Sequence, residues 1–369
     1  MLLTPATWAL TDAVEAVTSH LPAAVVPHAH PETQAGVVEL ATGVHETVAG
    51  AVADLRRLRR ALDDALDAVG LAAAVSGTHP FANWTEVTVS RGERQQHIYG
   101  SMRELARREP TFALHVHVGV AEAEHAVTVA NALRAHLPLL LALSANSPFW
   151  QGRDSGLASA RTPLFQAFPR VGIPRAFDGY ADYVEAVDLL LRVDAIPEPT
   201  YLWWDVRPQP RFGTVEVRIM DAQTTTAHAG ALVALVQCLV ALALEGPAVP
   251  SPPVEALNEN RFLAARDGVA AELIDAAGER RVPVRELAGQ TVAACAPHAD
   301  ALGCRAELES VWHLVEAPPA GDQLALARGP DGLPGLVSAL ADRFEEPERG
   351  GSDGPLKRPA PAPSPTTAT

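Results

Sequence analysis

The sequence predicts an α+β fold, and three observations carry the prediction. Amphipathic helical segments are separated by short segments that alternate with period two. Each alternating segment has one apolar and one polar face. None is the continuous apolar run expected of a strand buried on both sides of a parallel sheet. Residues 46–69 (ETVAGAVADLRRLRRALDDALDAV) set apolar positions at helical spacing beside a strongly charged face, with Gly70 as a stop. Further helices are expected at about 122–145, 178–192, 227–245, 258–277 and 299–316. The longest apolar run, Ala229 to Leu244, is interrupted by Gln237 and reads as a buried core helix rather than a bilayer span.

The strand-like segments carry the chemistry. In FALHVHVGV, Phe112, Leu114, Val116 and Val118 point one way and Ala113, His115, His117 and Gly119 the other. In GTVEVRIMD, Val215, Val217 and Ile219 share a face, opposite Thr214, Glu216, Arg218 and Met220. YLWWDVRP puts Asp205 and Arg207 opposite Trp204 and Val206, and GVVELAT sets Glu39 opposite Val38 and Leu40. Polar faces rich in His, Asp, Glu and Arg suit a half-open sheet with helices behind and a ligand in front.

Composition narrows the function. The chain of 369 residues is 48% hydrophobic and 20% charged, an ordinary globular balance. A net charge of −15 argues against a general nucleic-acid binder. Three cysteines without a CxxC pair, and a start without a basic region before an apolar stretch, point to a soluble cytoplasmic protein. The only lysine is Lys357, so the folded body has neither a Walker A lysine nor an amine for Schiff-base chemistry. There is no GxSxG elbow in the folded body, no GxGxxG after a strand and no HExxH. A catalytic domain is expected over residues 1–345, followed by a disordered tail rich in Pro, Gly, Ser and Thr over 346–369.

His115 and His117 at i, i+2 face one side of a strand and, with Glu39 and Glu216, form a candidate divalent-metal site. Oxygen-rich partners favour Mg²⁺ or Mn²⁺, while a third histidine such as His79 favours zinc. On the next strand, Glu216 can hold a metal–phosphate while Arg218 neutralises phosphate oxygens. The plainer alternative is a cross-strand salt bridge from this pair to Arg207 or Asp205. LSANSPFWQGRDSGLASAR is long and polar enough for a binding loop, with Arg153 and Arg161 as a carboxylate clamp and Asn146 and Ser147 as neutral donors.

GTHPFANW (77–84), LHVHVGV (114–120), LPLLLALSANSPFWQGRDSGLASAR (137–161), LWWDVRP (202–208) and FGTVEVRIMDAQT (212–224) together resemble the carboxylate–amine ligase family of the glutamate–cysteine ligase 2 type, over about residues 31 to 340. The resemblance implies a glutamine-synthetase-like antiparallel sheet that forms a funnel floor backed by helices. It implies ATP and Mg²⁺ (or Mn²⁺) as cofactors, and glutamate with cysteine or another amine as small-molecule substrates. No nucleic-acid or membrane partner is implied, and a homodimer is expected on general grounds. Carried over, Glu39, His115 and Glu216 look like metal–nucleotide ligands. Glu216 and Arg218 look like the catalytic pair, Arg218 and Arg207 like nucleotide contacts, and Arg161 like a substrate contact beside Asn146 and Ser147.

The sequence also departs from the family. Members begin with a strand reading like GVEEE, whose glutamates complete the metal site; here Met1 falls after it, and no acidic cluster precedes residue 15. TPATWALTDAVEAV is expected to be the helix that follows that strand. Either the true start lies upstream or the product is a weak or inactive variant. Three functions follow in order: an ATP-dependent ligase, a non-catalytic nucleotide-binding paralogue, and a zinc hydrolase using His115 and His117.

Overall fold

The segments with the clearest alternation pair with one another. In the computed structural model, which describes residues 1–108, 111–246 and 251–344, the strand Thr214–Asp221 lies between Val206–Gln209 and Ala113–Gly119, antiparallel to both. Arg207 and His117 stand directly opposite Glu216 on its two sides. The apolar face (Val116, Val206, Val215, Val217 and Ile219) is buried against the helices Ala123–Leu133, Leu137–Ser144 and Thr226–Glu245. Each such side chain contributes about 1.5–3 kcal/mol by leaving water. This is the α+β arrangement expected: an antiparallel floor with helices behind it and a polar face left open.

One detail of the strand phase is corrected. Val217 pairs with Val116, but Met220 pairs with Leu114, so one extra residue is inserted at Arg218–Ile219. This bulge reverses the alternation beyond it. Met220, expected beside Glu216 and Arg218, is fully buried in the core instead.

Several helices form where periodicity placed them. Val48–Asp67 is capped by Thr47, whose hydroxyl accepts the Gly50 N–H at 3.1 Å, and ends just before Gly70, at φ +70°. Tyr180–Arg192 and Thr226–Glu245 match their expected spans closely. Thr226–Glu245 is long and apolar enough to cross a membrane by length and composition. It packs instead against five other helices at the centre of the largest core cluster.

Others need correction. The span 122–145 is two helices bent by 63°, because Pro138 near the start of Leu137–Ser144 has no N–H to continue the first. The helix expected over 258–277 is Val254–Asp267; Gly268 ends it at φ +55°, where an added Cβ would lie 2.9 Å from that of Ala158, and Glu272–Asp275 is a strand. The span 299–316 holds the end of a longer helix, Val284–Leu302, then Arg305–Glu309 and Val311–Glu316. At the N-terminus, Leu2–Thr4 and Ala9–Leu10 are antiparallel strands, and only Val14–Thr18 is helical. Pro5 and the left-handed turn at Trp8 fit a hairpin and not a helix. The expected tail over 346–369 lies outside the described residues.

Candidate active site

Glu216 is the centre of the polar face. It is buried, yet both carboxylate oxygens are held: Oε2 accepts from Arg207 Nε at 2.7 Å and Oε1 from Arg218 Nη1. His117 Nε2 lies 3.6 Å from Oε1, and His115 Nδ1 lies 4.0 Å away. Burial works to raise the pKa of Glu216, but Arg218, His117 and Arg207 together hold it well below the usual carboxylate range. The salt bridge weighed against a functional reading is therefore present on both sides, and it is a buried network rather than a surface pair.

The strands explain the convergence. Antiparallel pairing brings Arg207, Glu216 and His117 side by side, and the bulge sets Arg218 beside His115. His115 Nδ1 lies 3.4 Å from Arg218 Nη1, and burial next to that guanidinium pushes its pKa well below the ordinary histidine value. The imidazole is neutral and available as an acceptor or ligand. Arg218 Nε is buried without a hydrogen-bond partner among the described residues, a donor that an anionic oxygen would satisfy.

Arg161 sits beneath this face. Its Nη1 donates to Ile219 O at 2.9 Å and its Nη2 to Arg218 O at 3.1 Å, the carbonyls that the bulge removes from regular pairing. Asp221 lies 3.7 Å from Arg161 Nη1 and accepts from Asn146 N, Ser147 Oγ and Ser159 Oγ. Asn146 donates through Nδ2 to Ala222 O and Thr224 Oγ1, and its Oδ1 accepts from Gln323. The polar atoms of Asn146 and Ser147 are thus engaged inside the protein, and both side chains are fully buried. Arg153 is exposed whereas Arg161 is buried, so the two-arginine clamp does not share one environment. Asp205, expected beside Arg207, is bound by Arg261 Nε at 2.6 Å.

Two carboxylates stand at the edge of the site. Glu39 lies on the exposed face of Val38–Leu40, opposite His30 in a two-stranded hairpin. Glu32, in the loop of that hairpin, was missed by sequence reasoning because its segment has no alternation to mark it. Burial and the nearby charge of Glu39 push its pKa up to about 7, against the opposing pull of Thr33 N–H, Arg218 and Arg94. Two carboxylates held in mutual repulsion fit a divalent cation, which would remove the repulsion. Among the described residues no three His, Cys, Asp or Glu side chains are gathered into a ready metal site. His79 is engaged with Trp8 O, Phe81 N and Ala82 N, which removes the third ligand of the zinc reading.

Residues 3–330 match the family model described as glutamate–cysteine ligase family 2. The chain belongs to that family. A "Putative glutamate--cysteine ligase 2-1" from Rubrobacter xylanophilus is 41% identical over 309 residues, 83% of this chain and 82% of the relative. A second protein of that organism, "Putative glutamate--cysteine ligase 2-3", is 38% identical over 346 residues, 92% of this chain and 94% of its own. A "Putative glutamate--cysteine ligase 2" from Sorangium cellulosum is 39% identical over 303 residues, 81% of each. Among solved structures, glutamate–cysteine ligase from Francisella tularensis in complex with AMP aligns with a TM-score of 0.68 at 12% identity, over 94% of this chain and 88% of that one. That likeness concerns the fold, and it extends the family's architecture across the described elements.

Proposed function

We propose that this protein is an ATP-dependent carboxylate–amine ligase of the glutamate–cysteine ligase type. The observation that carries the reading is Glu216, a buried carboxylate fixed between two arginines, beside an Arg218 Nε that lacks a hydrogen-bond partner among the described residues. Such a face suits phosphoryl transfer, where positioning and charge stabilisation do most of the work. Family membership and the AMP-bound neighbour support nucleotide use.

In the proposed reaction the γ-carboxylate of glutamate attacks the terminal phosphorus of ATP, giving an acyl phosphate and ADP. The amine of cysteine or another acceptor then attacks the acyl carbon, phosphate leaves, and the amine proton passes to solvent. Arg218 takes the charge that grows on the transferred phosphoryl group, and Arg207 keeps Glu216 ionised and oriented. Arg161 holds the bulge that aims Arg218, with Asn146 and Ser147 supporting it through Asp221. Glu39 and Glu32, with Glu216 and neutral His115 beside them, are the residues that would hold Mg²⁺, whose chemistry is to neutralise phosphate oxygens. Three free, buried cysteines support a reducing, cytoplasmic setting.

The test is ADP release from Mg-ATP and glutamate, with and without cysteine and a panel of other amines. Amine-dependent release is expected, and Glu216→Gln should lower it by about 10²–10³-fold with circular dichroism unchanged. ATP binding without amine-dependent turnover would favour a nucleotide-binding paralogue. Full activity in Glu216→Gln would remove Glu216 from the chemistry.

A further inference from the structure

Behind Glu216 the segment 200–202 forms a wall whose successive carbonyls are held from two sides. Thr200 O and Leu202 O accept from Arg207 Nη1, on the active-site side. Tyr201 O, between them, accepts from Arg170 Nε at 3.1 Å. On the Arg170 side lies a cavity of about 360 Å³ lined by His97, Ser101, Arg170, Asp194, Ile196 and Tyr201.

Two of these side chains carry opposite charges without an ion-pair partner among the described residues. Arg170 is half-buried over the Trp203 ring, 5.3 Å from its centroid, and has no carboxylate partner among the described residues. Burial depresses the pKa of Arg170. Asp194 makes no ion pair among the described residues either. Both residues hold left-handed backbone conformations, φ +61° for Arg170 and φ +53° for Asp194, uncommon for side chains of either kind. His97 packs edge-on to Tyr201, with ring centroids 5.5 Å apart, and closes one end.

We propose that this groove is a second small-molecule site, which takes a free amino acid with its carboxylate on Arg170 and its ammonium toward Asp194. The charge pattern selects the class. A simple anion would satisfy the guanidinium but face the repulsion of Asp194, and a simple cation would do the reverse. A zwitterion meets both, and the planar fork of Arg170 suits a carboxylate. Ile196 and the Tyr201 ring supply an apolar wall for a side chain. Because Arg170 and Arg207 grip adjacent carbonyls, an occupant of the groove is one peptide unit from the residue that orients Glu216.

The experiment is titration of the full chain, without nucleotide, by calorimetry or ligand-observed NMR, using the common L-amino acids, their N-acetyl derivatives, acetate and inorganic phosphate. At least one amino acid should bind, and Arg170→Met should weaken it by about tenfold or more. Asp194→Asn should also weaken it; this position is exposed, and asparagine tolerates the same backbone conformation, so the variant keeps the fold. The N-acetyl derivative, which lacks the ammonium, should bind less tightly and respond to Arg170→Met but not to Asp194→Asn. The proposal fails if no amino acid binds, if binding ignores both substitutions, or if acetate or phosphate binds as tightly as the amino acid. None of these results depends on ATP turnover, so the outcome stands apart from the ligase reading.

Discussion

Glu32 is a carboxylate placed where ionisation is costly. It is half-buried, faces the charge of Glu39, and titrates near 7. Its folded value lies above its unfolded one, so its contribution to stability is complete below about pH 4.5 and is lost as pH rises through about 7. Glu32→Gln keeps the neutral shape at every pH. The variant should melt with wild type at pH 5 and a few degrees above it at pH 8, while amine-dependent ADP release falls. A thermal melt at the two pH values checks the first part, and equal melting temperatures at pH 8 would show that Glu32 ionises freely. The residue was invisible in the sequence for a physical reason. His115, Glu216 and Arg218 announce themselves through strand alternation, whereas Glu32 is brought to the site by a hairpin loop whose path no periodicity encodes.

At the scale of elements, the bulge in Thr214–Asp221 decides how the strand works. Period-two reading placed Glu216 and Arg218 correctly, because both precede the extra residue or sit on it, and it misplaced Met220 just beyond. An inserted residue leaves no composition signal, so the sequence gives no hint that Arg161 braces a bulge. The structure gives Arg161 two backbone carbonyls to hold, those of Arg218 and Ile219. Arg161→Lys keeps the positive charge near Asp221 but loses the planar fork that spans both carbonyls. If Arg161 positions Arg218, the variant should lose roughly 10²-fold in kcat while KM for glutamate stays within about threefold. A rise in KM with kcat preserved would instead make Arg161 a substrate contact. The helix broken at Pro138 and the strand Glu272–Asp275 beyond Gly268 are different cases, because there the breaking residues stand in the sequence itself.

Across the whole molecule, the sequence made the fold class, the main sheet and the longest helices legible because these rest on extended apolar patterns. Residues buried for tertiary reasons were less so, and the buried histidines are the clearest case. His79 is buried against Trp8 O, and burial lowers its pKa to about 4; burial also lowers those of His115 and His136. Each folded value lies below the unfolded 6.5, so the stability each contributes is complete above about pH 6.5 and is lost as pH falls toward the folded value. For His79 alone the window from 6.5 to about 4 corresponds to on the order of 3 kcal/mol. Glu32 and Asp221, whose pKa values burial raises, work in the opposite sense, but two carboxylates stand against three imidazoles. Acidification also reduces the net charge of −15, which by itself relieves repulsion and favours the folded state. Urea unfolding should therefore show lower stability at pH 4.5 than at pH 7.5 despite the smaller charge. In His79→Gln, which cannot gain a proton, the difference between the two pH values should shrink. An unchanged difference in that variant would assign the acid sensitivity to other groups, with Glu216, whose ionised form the fold also requires, as the next to substitute.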